Sequence, residues 1–188
     1  MTIDDLADAV ATACLAESVP HMFTGALATG LYGSPRSTAD VDVVVDVADP
    51  TAMPRLVARL ASVATFDAQV QFDTLTLGGR RVGTTRGLPP LIVELFTLFD
   101  DPFVQEQFAR RREHFMPTVG RSVPVPTPED VIVQKLRWGR AKDLDDARDV
   151  LAVQTAAGLD MDYIRGWCSR HGTTAALDAI LAVLPPEG

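Results

Sequence analysis

Residues 40–47 read Asp-Val-Asp-Val-Val-Val-Asp-Val, and this segment restricts the fold most tightly. A run of β-branched valines favours an extended strand, because branched side chains pack well on a pleated surface and lose rotamer freedom in a helix. The valine density predicts a central strand. The acids at its entrance, Asp40 and Asp42, conflict with that position, since a carboxylate taken out of water costs free energy unless a cation meets it. Residues two apart on a strand point to the same side, so Asp40 and Asp42 project together. Neighbouring carboxylates both stay ionised only beside a positive partner, either a basic side chain or a metal ion.

The segments around this strand alternate between strand and helix patterns. Residues 3–17 carry Ile3, Leu6, Val10 and Leu15 near one face and predict an amphipathic helix. "PHMFTG" predicts a short strand running into Gly25, and "ALATGLYG" a short helix that stops around Gly33. A helix is expected over 52–65, and an alternating strand over 69–77. Gly78 and Gly79 read as a hairpin turn, returning through "RRVGTTR". "PPLIVELFTL" predicts a core strand, and residues 102–115 a helix ending in an arginine cluster.

From Thr127 the pattern becomes helical. Thr127 is a candidate N-cap, with Pro128 at the first helical position. Further helices are expected over 140–154, 160–172 and 174–184, the last ending at Pro185. The fold class is therefore α/β (α+β): a small mixed twisted sheet flanked by helices, with a C-terminal helical section. The proline-rich stretch at 124–128 is the one plausible boundary, giving a core over 1–123 and a helical subdomain over 124–188.

Charge narrows the function classes. The net charge is −8, yet residues 51–125 are net basic, with nine bases against seven acids. Non-specific duplex binding does not suit such a chain, whereas local recognition of an anionic substrate does. No apolar run reaches the roughly 18 residues of a membrane span. The acidic N-terminus does not read as a signal peptide. Cys14 and Cys168 lie far apart in helical segments, which fits packing residues in a reducing cytoplasm. The three histidines form no zinc-ligand spacing.

The candidate chemistry lies on the strands. Asp40 and Asp42 present hard oxygen ligands of the kind that suit Mg²⁺ or Mn²⁺. Glu94 stands mid-strand in "LIVELF" among apolar neighbours. If its strand neighbours that of Asp40 and Asp42, three carboxylates converge and could hold two metals, the arrangement that clamps an in-line phosphoryl displacement. In the structural alternative, Asp40 caps or ends a turn, Asp42 pairs with Arg36 and Glu94 with a nearby arginine. Upstream, a strand running into Gly25 and then a helix offers free backbone N–H groups at a positive dipole end, a cradle for phosphate. Arg36, Ser37 and Thr38 add a charge and two hydroxyls on the loop before Asp40.

Strand, glycine, small residue and helix, then "R-x-T-x-D-V-D" and a later strand bearing an acid: this order resembles the DNA-polymerase-beta-like nucleotidyltransferase superfamily. Its Gly-Gly or Gly-Ser pair falls here on Gly25-Ala26. Ala26 departs from that pair but stays small, and Gly33-Ser34 is a second Gly-Ser after the helix. "TPEDVIVQKLRWGRAKDLDD" resembles a block of small bacterial nucleotidyltransferases that include abortive-infection, type IV toxin–antitoxin toxins. The resemblance runs over about residues 19–172.

It implies a nucleotidyltransferase fold and transfer of a nucleoside monophosphate from an NTP to an acceptor hydroxyl, with pyrophosphate released. Asp40, Asp42 and Glu94 would be metal ligands, and Gly25, Ala26, Arg36, Ser37 and Thr38 nucleotide contacts. It also implies Lys135 as a catalytic or nucleotide-phosphate contact, supported by Asp143 and Asp146. The implied acceptor is a tRNA 3′ end, with a cognate antitoxin as partner, or an antibiotic or other small hydroxyl compound. A catalytically inactive binding protein of the same fold is a third possibility.

Overall fold

The structure is a computed structural model describing residues 1–74, 78–155 and 158–184. Its internal packing divides the chain into two units. The first comprises Met1–Leu27 with Ser37–Val125, the second Ala28–Arg36 with Pro126–Gly188.

The first unit contains a mixed sheet. Its elements in chain order are α1 (Ile3–Ala16), β1 (His21–Phe23), the start of α2 (Gly25–Tyr32), β2 (Asp40–Val45), α3 (Ala52–Leu60), β3 (Ala64–Phe66), β4 (Gln71–Asp73), β5 (Gly78–Thr85), β6 (Ile92–Thr97), α4 (Pro102–Arg110), β7 (Arg112–Met116) and β8 (Arg121–Val125). The strand order is β1-β2-β6-β5-β3, with β4 also paired to β5, and β7-β8 forms a separate hairpin. β2 runs parallel to β6, and the other pairings are antiparallel.

Alternation along β2 and β6 divides the sheet into two faces. Val41, Val43, Val45, Val93 and Leu95 are fully buried on one side. That side forms the core, and α1 lies against β2 and α3, presenting Leu6, Val10 and Cys14. Each such side chain contributes roughly 1.5–3 kcal/mol by leaving water. The other side carries Asp40, Asp42, Ile92 and Glu94, all exposed or half-buried. α1 is fastened at its start by a reciprocal cap: the Asp5 amide donates to Thr2 Oγ1 at 3.1 Å, and the Thr2 amide to the Asp5 carboxylate at 2.7 Å. Asp4 and Asp8 of α1 also meet the β7-β8 hairpin, at Thr118 and Arg121.

Three expectations are corrected here. The helix expected over 52–65 ends at Leu60, because Ala64–Phe66 is drawn into pairing with β5. Gly78 and Gly79 are not a turn. They are β5 residues opposite Asp73 and Phe72. Their lack of a side chain serves packing: a Cβ would stand 2.9 Å from the Phe99 ring at Gly78 and 3.1 Å from Val70 at Gly79. Residues 75–77 of the strand expected over 69–77 lie outside the described residues.

The helix expected over 102–115 stops at Arg110, after which Arg112–Met116 pairs with Arg121–Val125. Arg111 makes the break. Its backbone is extended, its guanidinium donates to the Phe108 carbonyl, and it lies 4.0 Å over the Phe108 ring.

The second unit holds the rest of α2 with α5 (Pro128–Trp138), α6 (Ala141–Gln154), α7 (Met161–His171) and α8 (Thr174–Leu181). Thr127 and Asp130 form the cap of α5, and Gly139, at φ +66°, ends it in the left-handed conformation that glycine adopts without strain. α7 starts on the Asp160 side chain and stops at Gly172. α5 packs on α6 and α7, and α8 on α6 and α7. Ile132, Val133, Val150, Ile164 and Leu177 are fully buried among them. Gly33 follows α2 where a Cβ would lie 3.1 Å from Val150, so close packing against α6 accounts for this glycine. The end expected at Pro185 lies outside the described residues. Among those described, no helix is long and apolar enough to cross a membrane.

Candidate active site

In the first unit, strand register decides where the acids meet. The parallel pairing sets Asp42 directly opposite Glu94, and Asp40 opposite Ile92. All three carboxylates therefore share one face. Asp40 stands at the open end of β2, its amide bonded to Thr38 Oγ1 at 3.1 Å, so the Thr38 hydroxyl closes the approach to the strand. Ser37 is exposed on the same approach.

Gly25 stands against Asp42. The Thr24 amide donates to the Asp42 carbonyl at 2.9 Å, bringing the end of β1 beside β2. Gly25 has φ +62°, and a Cβ placed on it would lie 1.9 Å from Asp42 Oδ2. Position 25 thus needs glycine twice over, for its backbone and for the space that Asp42 occupies. α2 begins at Gly25, with Ala26 buried behind it, so the amide end of a helix lies beside the carboxylate face.

Glu94 accepts from Arg80 of β5, Nη1 to Oε2, at 3.0 Å. Reading the sequence did not single out Arg80. Only the β5-β6 pairing brings it near Glu94, and nothing in "GGRRVGTT" distinguishes it from Arg81, which donates instead to the Ala68 carbonyl. Among the described residues, no three His, Cys, Asp or Glu side chains are gathered tightly enough to hold a metal as they stand. The donor chemistry nevertheless fits a hard divalent cation: three carboxylates on adjacent strands, two in direct register, on a half-exposed face.

The second unit gathers the remaining candidates into a buried ion network. Lys135 is 4% exposed, and its Nζ donates to Asp146 at 2.6 Å and to Asp143 at 3.4 Å. Arg140 donates Nη2 to Asp143 at 3.1 Å, and Arg36 pairs with Asp146 at 3.3 Å. Asp143 is fully buried. Burial alone would raise its pKa, but the hydrogen bonds from Arg140 and the charge of Lys135 outweigh that and hold it below the usual carboxylate range. Lys135 and Arg140 both lie against the Trp138 ring, at 5.3 and 5.4 Å from its centroid. Asp143 and Asp146 thus form no solvated acidic face. Arg36, the sequence candidate for pairing with Asp42 or with phosphate, is engaged by Asp146.

The cysteines offer no chemistry here. Both are free and buried, and burial pushes the Cys14 thiol up to about 12, far from a reactive thiolate.

No family model matches the chain, and no curated protein matches it in sequence. Solved structures do match. Against ANT(2'')-Ia in complex with adenylyl-2''-tobramycin the TM-score is 0.63 at 14% identity, over 91% of this chain and 99% of that one. The chain has the nucleotidyltransferase fold. The solution structure of the same antibiotic-resistance factor gives 0.60 at 12% identity, covering 94% and 95%. An antigenic nucleotidyltransferase-like protein from Paracoccidioides brasiliensis gives 0.57 at 19% identity, covering 96% and 92%.

Proposed function

We propose that this chain transfers a nucleoside monophosphate from an NTP to a hydroxyl of a small-molecule acceptor and releases pyrophosphate. One observation carries the reading: Asp42 and Glu94 face each other across paired strands, Asp40 shares their face, and Gly25 leaves room for Asp42 at the start of a helix. In this reading a triphosphate would meet its acid ligands there.

Asp40, Asp42 and Glu94 would hold Mg²⁺ or Mn²⁺, which supplies the positive charge that lets a triphosphate approach three carboxylates. The amides at the start of α2, from Gly25 and Ala26, receive phosphate oxygens. The acceptor oxygen attacks the α-phosphorus, the bond from that phosphorus to the bridging oxygen of pyrophosphate breaks, and the hydroxyl proton passes to a Glu94 oxygen. Positioning and electrostatics provide the rate. Lys135, Asp143 and Asp146 act in this reading by ordering the helical unit, since their charges are spent on one another.

The small acceptor is taken from a likeness in fold: ANT(2'')-Ia, which this chain resembles, is seen with adenylyl-2''-tobramycin. The tRNA acceptor and antitoxin partner implied by the sequence resemblance form the competing reading. Incubation with each [α-³²P]NTP and Mg²⁺, offering polyhydroxylated amines and total tRNA in separate reactions, decides between them. Label on the small acceptors, lost in Asp42→Asn, is the expected result. Label on tRNA alone, falling steeply with salt, would select the other acceptor. No transfer with any NTP would leave a binding protein.

A further inference from the structure

We propose that Arg80 is a resident counter-cation of the carboxylate face: it neutralises Glu94 until a divalent metal ion displaces it, and so sets the affinity of the site for metal. The inference rests on the nucleotidyl-transfer reading and concerns a residue to which that reading gives no role.

The pairing places Arg80 where this competition is unavoidable. In the antiparallel β5-β6 ladder, Val82 lies opposite Glu94 and Arg80 opposite Phe96. Arg80 is thus the diagonal neighbour of Glu94 on the face that Asp42 shares. Its guanidinium is held from several sides: by Glu94 at 3.0 Å, by Gln71 Oε1 of β4 at 3.4 Å, and by the Phe96 ring, 5.9 Å away at its centroid. The side chains of the ion pair are 25% and 18% exposed. A planar guanidinium aimed by three neighbours is pre-organised in a way that a free surface charge is not.

Exchange of partners gives the arrangement its purpose. Asp42 and Glu94 are in direct register, so a cation placed between them must contend with the guanidinium already held on Glu94. For Glu94 to become a metal ligand, its oxygens must leave Arg80, so part of the metal's binding free energy is used to break that pair. Gln71 and Phe96 remain to hold the displaced guanidinium beside the site.

Titration of the full-length protein with Mn²⁺ alone, followed by the EPR signal of free Mn²⁺, tests this without turnover. Arg80→Gln should tighten Mn²⁺ binding about fivefold, the size of a partly exposed ion pair, and Arg80→Lys should tighten it less. Asp42→Asn should abolish binding. If Asp42→Asn abolishes binding while Arg80→Gln leaves the affinity unchanged or weaker, the counter-cation role is wrong and the metal site stands. If the wild type binds no Mn²⁺, or binds it regardless of Asp42 and Glu94→Gln, the metal reading fails and this inference with it. Should Arg80→Gln not fold, Arg80→Lys carries the test: unchanged or weaker affinity overturns the proposal.

Discussion

Asp42 and Asp146 are both aspartates on regular elements, each beside another carboxylate, yet their surroundings differ. Asp146 sits among Lys135 and Arg36, with Asp143 and Arg140 completing the network. There, three basic groups answer two acids, and Lys135 and Asp143 are buried. Asp42 shares its half-exposed face with Asp40 and Glu94, where Arg80 pairs with Glu94. A largely buried, mutually paired cluster holds helices in register. Carboxylates on a half-exposed face are open to a ligand. Burial and access, more than residue type, separate the two.

The largest expected effect tests the ligand side of this contrast. Asp42→Asn should lower nucleotidyl transfer about a thousandfold while changing the thermal midpoint little, since the amide keeps the size of a side chain on a half-exposed face. Full activity in that variant, read by label transfer, would end the distinction. Lys135→Met should do the reverse. It leaves Asp143 to Arg140 and Asp146 to Arg36, removing the buried cation they share, and should cost about 1–3 kcal/mol of stability by urea denaturation. A loss of activity with unchanged stability would instead make Lys135 part of the chemistry.

Gly25→Ala comes next. Strain at positive φ should cost about 1–3 kcal/mol, and the new methyl would displace the Asp42 carboxylate, so transfer should fall further than stability does. Equal losses would mean that the close approach matters only to folding.

The smallest effect separates both clusters from a titrating group outside them. Burial holds His21 below its usual 6.5, against a partly offsetting hydrogen bond to the Val19 carbonyl. The unfolded chain then takes up the proton first, so the stability His21 contributes is present above pH 6.5 and is lost as pH falls from there through its lowered folded value. Asp143, with its pKa lowered, gives up its contribution only as pH falls below the carboxylate range. His21→Gln should therefore flatten the denaturation midpoint between pH 7 and 5.5, and Lys135→Met should not.

Much of this was legible along the chain, and the parts that were not share a cause. The valine strand with its two acids, the strand-to-glycine entry at Gly25, and the helix cap at Thr127 are local devices. Each is complete within a few residues. The helix expected over 102–115 failed because β8, several residues on, offers Arg112–Met116 a ladder that helix propensity cannot reveal. Gly78 and Gly79 looked like a turn because glycine marks both turns and close packing, and only Phe99 and Val70 show which. That the carboxylates of α6 close on Lys135 could not be read from the order of the chain.

By itself the sequence determined which residues could do chemistry and where most strands and helices lie, because both depend on side-chain type and short-range periodicity. Tertiary structure alone decided that Glu94 lies opposite Asp42, that Arg80 reaches it, and that Arg36 belongs to Asp146. Those pairings join residues 14 to 110 positions apart. They depend on strand order, register and helix packing, which are set by the burial of the whole apolar core and by no single stretch of the chain.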